Sequence, residues 1–142
     1  LVHCFATIYM TGLIWFVQVV HYPLHGHVGV QNFKTYQSQH VKLTGPVVAP
    51  VMIVEAVASV LLVVNPPKSL PPESVWAGLL LLGVIWASTA LLQVPIHNNL
   101  ISGFDSVGHR KLVKSNWIRT VSWSLRSLLV AYMLWSIIGE RQ

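Results

Sequence analysis

The chain has 142 residues, of which 54% are hydrophobic and only 9% are charged, and its formal net charge is +5. Soluble domains carry about a quarter charged residues, so this composition excludes an ordinary soluble domain and predicts one membrane domain over residues 1–142. The Lys and Arg residues are few and lie between apolar runs, so the positive charge indicates membrane topology and no nucleic-acid partner.

Four apolar segments are long enough to cross the hydrocarbon core of a bilayer, which takes about 20 residues of helix. Because backbone groups in lipid must be hydrogen-bonded internally, we expect all four to be helices. The predicted spans are residues 2–22, 46–64 (beginning at Gly45 or Pro46), 75–94 and 116–138. The predicted fold is therefore an all-α membrane protein, an antiparallel four-transmembrane-helix bundle.

The connections between the spans differ in length and character. "NPPKSLPPES" predicts a tight turn between spans two and three. In "QNFKTYQSQHVKL", Phe33, Tyr36 and His40 follow one another at i, i+3 and i+7, which is typical of an amphipathic helix. We therefore expect a short interfacial helix between spans one and two. The third connection, "NNLISGFDSVGHRKLVKSN", has a similar pattern.

The distribution of basic residues predicts the orientation of the chain in the membrane. The first and third connections hold Lys34, Lys42, Arg110, Lys111 and Lys114, against Lys68 and Arg141 on the other side. Cytoplasmic loops carry the excess of Lys and Arg, so we expect both termini on the non-cytoplasmic side of a bacterial inner membrane. The chain begins at Leu1 rather than Met, and we expect a short segment before it.

Two charged residues lie deep within predicted spans. Glu55 is nine residues beyond Pro46, which places it about 14 Å into the membrane, and Arg126 has a similar depth in span four. A charge at this depth costs about 3 kcal/mol or more, so such residues usually face the bundle and pair. We expect a structural ion pair between Glu55 and Arg126. A metal ligand or proton acceptor is the alternative role for Glu55.

Histidines gather at the predicted cytoplasmic ends of the spans. His21 closes span one and His97 follows span three, and each has a glutamine one turn deeper, Gln18 and Gln93 respectively. Spans one and three both end on the cytoplasmic side of the membrane. We therefore expect these four side chains to meet at the mouth of the bundle.

A metal site is one interpretation of this pattern. Imidazole and carboxylate ligands suit iron, copper or zinc, and heme is a further possibility, so the predicted metal ligands are His21, His40, His97 and Glu55. The alternative is a polar mouth in which each imidazole donates to a backbone carbonyl. Of the other histidines, we expect His25, His27 and His109 in solvent and His3 at the opposite end.

The stretches "QVPIHNNLISGF" and "NWIRTVSW" resemble a broad family of small four-span membrane proteins that includes the anthrone oxygenases. The matching positions are Val94, Pro95, Asn98 or Asn99, Leu100, Asn116, Trp117, Arg119 and Thr120. "TGLIWFVQVVHYPL", with Pro23, also resembles the first helix of that family. The resemblance implies the four-span fold and says little about the chemistry, because many members have no assigned activity.

Three functions fit these observations. The first is a metal-dependent oxidoreductase or oxygenase acting on an apolar substrate from the lipid, with Glu55 and Arg119 as the catalytic candidates and Tyr22 and Tyr36 at the entrance. The second is an accessory subunit of a larger membrane complex that contacts heme, pigment or quinone. The third, ion or proton transport, fits least well because no inverted repeat is recognisable. The expected partners are the lipid bilayer and other membrane subunits.

Overall fold

The computed structural model describes residues 1–139, which form four long helices and contain no strand. The helices are α1 (Val2–His25), α2 (Val30–Val64), α3 (Pro72–Leu100) and α4 (Ser106–Gly139). Each is long and apolar enough to cross a membrane, which confirms the prediction of an all-helical membrane protein. Arg141, which enters the prediction of topology, lies outside the described residues.

The segment predicted as a separate interfacial helix is part of α2. This helix runs without a break from Val30 to Val64, with Pro46 and Pro50 inside it. A proline removes one backbone donor and bends a helix. In an apolar segment, however, the helix remains the conformation that bonds the other backbone groups internally. The sequence pattern predicted the helical conformation of this segment, but not its continuity with the second span.

Two helices contain a single wider turn just before a proline. In α1 a π-helical turn spans Val17–His21 and Pro23 follows, and in α3 such a turn spans Thr89–Gln93 and Pro95 follows. The ring of a proline clashes with the carbonyl four residues earlier, and a wider turn at that carbonyl relieves the clash. Each of these turns carries a buried glutamine. Turns of this kind occur frequently at functional sites.

Hydrogen bonds between α1 and α2 show how these two helices lie side by side. Near the N-terminus of α1, Thr7 donates to Glu55 over 2.7 Å, in the second half of α2. At the other end of α1, His21 lies 3.1 Å from His40, in the first half of α2. The start of one helix therefore lies beside the end of the other. The short connection between them turns at Gly29, whose φ of +83° favours glycine.

The apolar core has three layers along the bundle. The central layer contains Met10, Ile14, Met52, Ile85 and Trp123, and every helix contributes to it. The layer at the histidine-rich end contains Tyr22, Phe33, Leu100 and Leu112, and the layer at the opposite end contains Leu70, Val75 and Met133. The candidate functional site lies between the central layer and the layer at the histidine-rich end.

The N-terminus of α4 is capped by the residue before it. The carboxylate of Asp105 accepts hydrogen bonds from the backbone N–H groups of Val107 and Gly108, each over 2.9 Å. These bonds favour the charged form and lower the pKa of Asp105. A cap of this kind satisfies donors that have no partner inside the helix, so it defines where α4 begins.

Candidate functional site

A cavity of about 290 Å³ lies inside the bundle, and all four helices line it. One part of its wall is apolar and includes Met10, Ile14, Val48, Met52 and Trp86. Toward the histidine-rich end the wall becomes polar, with Tyr22, His40, Gln93, His97, Asn98 and Arg119. Sites for small molecules commonly combine an apolar wall with a few polar groups that orient the ligand.

The cavity opens sideways between α2 and α3. Gly45 and Ala49 of α2 border it and are exposed at the surface of the bundle, as are Trp86 and Val94 of α3. An ideal Cβ built on Gly45 meets no atom within 4 Å, so the space beside this residue is open. In a bilayer this side of the bundle would face lipid chains.

Tyr22 and His97 form the polar end of the cavity. The Tyr22 hydroxyl lies 2.9 Å from His97 Nε2 and donates to Gln93 Oε1 over 3.4 Å. Gln37 Nε2 lies 2.9 Å from the backbone oxygen of His97 and 3.0 Å from His97 Nδ1. Because that backbone oxygen only accepts, Gln37 must present its amide nitrogen here, and Nδ1 accepts its second N–H. The neutral ring of His97 therefore carries its proton on Nε2 and donates to Tyr22.

His25 and His109 differ from the sequence expectation, which placed both in solvent. His25 is fully buried. Because the amide nitrogen of Gln37 faces His97, its Oε1 faces His25 and accepts a hydrogen bond from His25 Nε2 at 2.8 Å. His109 Nε2 donates over 2.9 Å to the backbone oxygen of Tyr22. Both rings pack at the histidine-rich end of the core, because the turn after α1 folds back onto α2 and α4. His27 is exposed, as expected.

The three histidines predicted as metal ligands lie close together. His21 Nε2 is 3.1 Å from His40 Nδ1, and their ring centroids are 4.7 Å apart. The rings of His40 and His97 have centroids 5.0 Å apart. Both nitrogens of His97, however, are engaged by neighbouring side chains. In residues 1–139, no three His, Cys, Asp or Glu side chains are arranged to hold a metal ion, so the predicted metal site has no geometric support there.

Glu55 does not join these histidines. Fifteen residues of α2 separate it from His40, about 22 Å along the helix axis. Its carboxylate accepts hydrogen bonds from Thr7 and Trp123 and lies 3.0 Å from Arg126 Nε. Glu55 is absent from the wall of the cavity, whereas Arg119, the other catalytic candidate, lines it. The prediction that Glu55 shares a site with His21, His40 and His97 is therefore wrong, because the length of α2 keeps Glu55 away from these histidines.

Glu55 and Arg126 are the centre of a polar network that joins all four helices. Both side chains are fully buried. Besides Glu55, Arg126 donates to the backbone oxygen of Gly78 in α3, to Ser59 Oγ over 3.1 Å and to His3 Nε2 over 3.0 Å. The structure thus brings together the two charges that the sequence predicts as a pair, and it adds His3 from α1 to them.

Arg119 is the second buried arginine of α4, and its environment is different. Its side chain is 7% exposed, and its Nη1 donates to Asn116 Oδ1 over 3.3 Å. Asn116 Nδ2 in turn donates over 2.9 Å to Gln18 Oε1, and Gln18 Nε2 donates to the backbone oxygen of Val113. That backbone acceptor determines the orientation of both amides. The guanidinium also lies 5.2 Å from the ring centroid of Trp123.

Comparison of the chain with protein-family models, with curated proteins and with solved structures finds no match. The resemblance to the four-span family therefore rests on the short motifs alone. Gln37, which holds His25 and His97 in place, was not among the site residues predicted from the sequence. Its signal is the spacing from Phe33, four residues earlier on the same buried face of α2.

Proposed function

We propose that the protein is an antiparallel four-helix bundle in a lipid bilayer that takes up an apolar molecule from the lipid and acts on that molecule's polar end. The cavity carries this proposal. Its wall is apolar on one side and polar on the other, and it opens sideways between α2 and α3. A molecule entering from lipid would bring its polar end to Tyr22 and His97.

The reaction class we propose is an oxidoreductase or oxygenase that uses dioxygen as its oxidant, and Tyr22 and His97 would provide its proton transfer. Such reactions move protons at an oxygen of the substrate, and a positioned side chain accelerates that transfer. The Tyr22 hydroxyl lines the cavity and lies within hydrogen-bond distance of His97 Nε2. Tyr22 would give its hydroxyl proton to an oxygen of the substrate, and the phenolate that remains would accept the Nε2–H bond of His97. Arg119, which also borders the cavity, adds a positive charge there.

Narrowing the entrance tests the proposal. Replacing Gly45 with phenylalanine is expected to weaken binding of a neutral apolar probe, 2-naphthalenemethanol, about tenfold or more, because a tenfold change needs only about 1.4 kcal/mol of lost contact. Binding of the radiolabelled probe is measured in lipid nanodiscs as the excess over protein-free nanodiscs.

Gly83 provides the matched control. It is an exposed helix glycine of α3, an ideal Cβ built on it also meets no atom within 4 Å, and it does not border the cavity. Gly83→Phe should bind the probe like the wild-type protein. Absence of specific binding to the wild-type protein, or equal loss in both variants, contradicts the proposal and favours an accessory subunit of a membrane complex.

The sidedness that we propose has its own test. Single cysteines at Ser69, between α2 and α3, and at Ser106, at the start of α4, are expected to react with a membrane-impermeant maleimide from opposite sides of intact membranes. The background for both is Cys4→Ala, because Cys4 is the chain's single cysteine. With the connections rich in Lys and Arg in the cytoplasm, Ser69→Cys should react from outside. Reaction of both from one side refutes this topology.

A further inference from the structure

We infer that the molecule bound in the cavity carries a carboxylate, which pairs with Arg119. This inference rests on the proposed function, because it names the chemical class of the ligand for the same cavity. It starts from the difference between the two buried arginines of α4, which are seven residues apart and therefore lie two helical turns from each other.

Arg126 shows what a buried arginine requires in this bundle. It has the carboxylate of Glu55 at 3.0 Å, and Gly78, His3 and Ser59 accept or share its other N–H groups. Removing two charges from water is unfavourable for each ion, and a close ion pair with further hydrogen bonds offsets that cost. The arrangement around Arg126 meets both conditions.

Arg119 is buried to nearly the same degree, yet it has no anionic partner. In residues 1–139 the pair between Arg126 and Glu55 is the single ion pair between side chains. Arg119 donates through Nη1 to Asn116 and interacts with the Tyr22 hydroxyl beside it, while its Nε is buried without an acceptor. A buried donor without an acceptor destabilises the protein, and more so when the donor is charged. Arg119 is therefore a buried cation whose guanidinium still has N–H groups without a hydrogen-bond acceptor.

The cavity is the place from which that acceptor can come. Arg119 lines the cavity, and the bond to Asn116 occupies only one corner of its guanidinium. Arg119 Nη2 carries N–H groups that a carboxylate in the cavity would accept, whereas Nε is enclosed by protein. A phosphate, with its greater charge, fits less well, because Arg119 is the single Lys or Arg residue that lines the cavity.

Gln18 and Asn116 keep the guanidinium in this position. The amide of Gln18 is oriented by the backbone oxygen of Val113, and it presents its own oxygen to Asn116. Asn116 in turn presents Oδ1 to Arg119. These two residues act on the ligand only through Arg119 and are positioning residues. Gln18, the buried glutamine of the wide turn in α1, thus helps to orient Arg119 at the cavity.

Two probes of the same shape test the inference in nanodiscs: 2-naphthoate, which is anionic at neutral pH, and 2-naphthalenemethanol, which is neutral. Wild-type protein is expected to bind 2-naphthoate about 10- to 100-fold more tightly, the range that one charge-assisted hydrogen bond provides. Arg119→Met should remove this preference and leave binding of the alcohol unchanged. Arg110→Met, which removes an exposed charge from the same helix, should change neither.

The outcomes separate the inference from the function on which it rests. If the alcohol binds specifically and 2-naphthoate binds no better to wild-type protein, the inference is wrong and the proposed function stands. This comparison needs no variant, so it remains decisive even if Arg119→Met fails to fold. If Arg119→Met and Arg110→Met weaken 2-naphthoate binding equally, general charge attraction explains the preference and the inference is overturned. If neither probe binds wild-type protein, both proposals fail.

Discussion

Replacing Glu55 with alanine is expected to lower the free energy of unfolding by about 3–5 kcal/mol, the usual cost of leaving one partner of a buried ion pair alone. Arg126 would keep its charge in the middle of the bundle, with only neutral groups from Gly78, His3 and Ser59 around it. Thr7 and Trp123 would also lose the acceptor to which they donate. Unfolding in mixed detergent micelles, followed by tryptophan fluorescence, measures this change.

Two further variants make the result specific to the pair. Glu73→Ala removes an exposed carboxylate from the first turn of α3 and should change the free energy of unfolding little. Glu55→Ala combined with Arg126→Ala should lose less stability than the sum of the single variants, because each single variant leaves a charge that the double variant removes. Additive losses, or an unchanged Glu55→Ala protein, would show that the two side chains are not coupled in the folded protein.

This pair could be predicted from the sequence because a single physical constraint determines it. A charge at mid-bilayer depth needs a partner at the same depth, and a constant helical rise converts residue numbers into depth. Only Glu55 and Arg126 satisfied both conditions. The four spans were predictable for a similar reason, since apolar length alone decides whether a helix can cross the bilayer. The ion pair and the four spans can both be predicted without knowing how each helix is rotated about its own axis.

The residues that line the cavity depend on how each helix is rotated about its own axis, so the cavity could not be predicted in the same way. Helical spacing places Gln18 and His21 on one face only if the turn between them is regular. The turn at Val17–His21 is wider, so Gln18 bonds to α4 whereas His21 bonds to α2. We expected both residues in one cluster with Gln93 and His97. In the structure they belong to two neighbouring groups, Gln18 with Asn116 of α4 and His21 with His40 of α2. Pro23 was the available signal for the wider turn.

The assignment of Glu55 to the histidine site failed for a related reason. The prediction grouped Glu55 with His21, His40 and His97 because all four side chains are common metal ligands. Position along α2 separates Glu55 from His40 by about 22 Å. Treating residues 31–43 as an independent helix removed this constraint, because a separate helix could fold over the mouth of the bundle. The continuity of α2 through Pro46 and Pro50 restores it.

Gln37→Leu is expected to lower the free energy of unfolding by about 2–4 kcal/mol, because one buried and two partly buried groups lose their side-chain partner at this position. They are His25 Nε2, His97 Nδ1 and the backbone oxygen of His97. Leucine fills a similar volume but neither donates nor accepts. Gln39→Leu, two residues further along the same helix at an exposed position, is the control and should leave stability nearly unchanged.

Gln37→Glu separates the roles of the amide oxygen and the amide nitrogen. A carboxylate still accepts from His25, but it has no N–H to donate to the backbone oxygen or the ring of His97. Without that donor, His97 Nδ1 is free to hold the proton, and His97 no longer has to donate to Tyr22 through Nε2. Nitrogen chemical shifts of the His97 ring, measured by solid-state NMR in the wild-type protein and in Gln37→Glu, report which nitrogen carries the proton. A protonated Nδ1 in the wild-type protein would refute the tautomer on which the proposed role of Tyr22 depends.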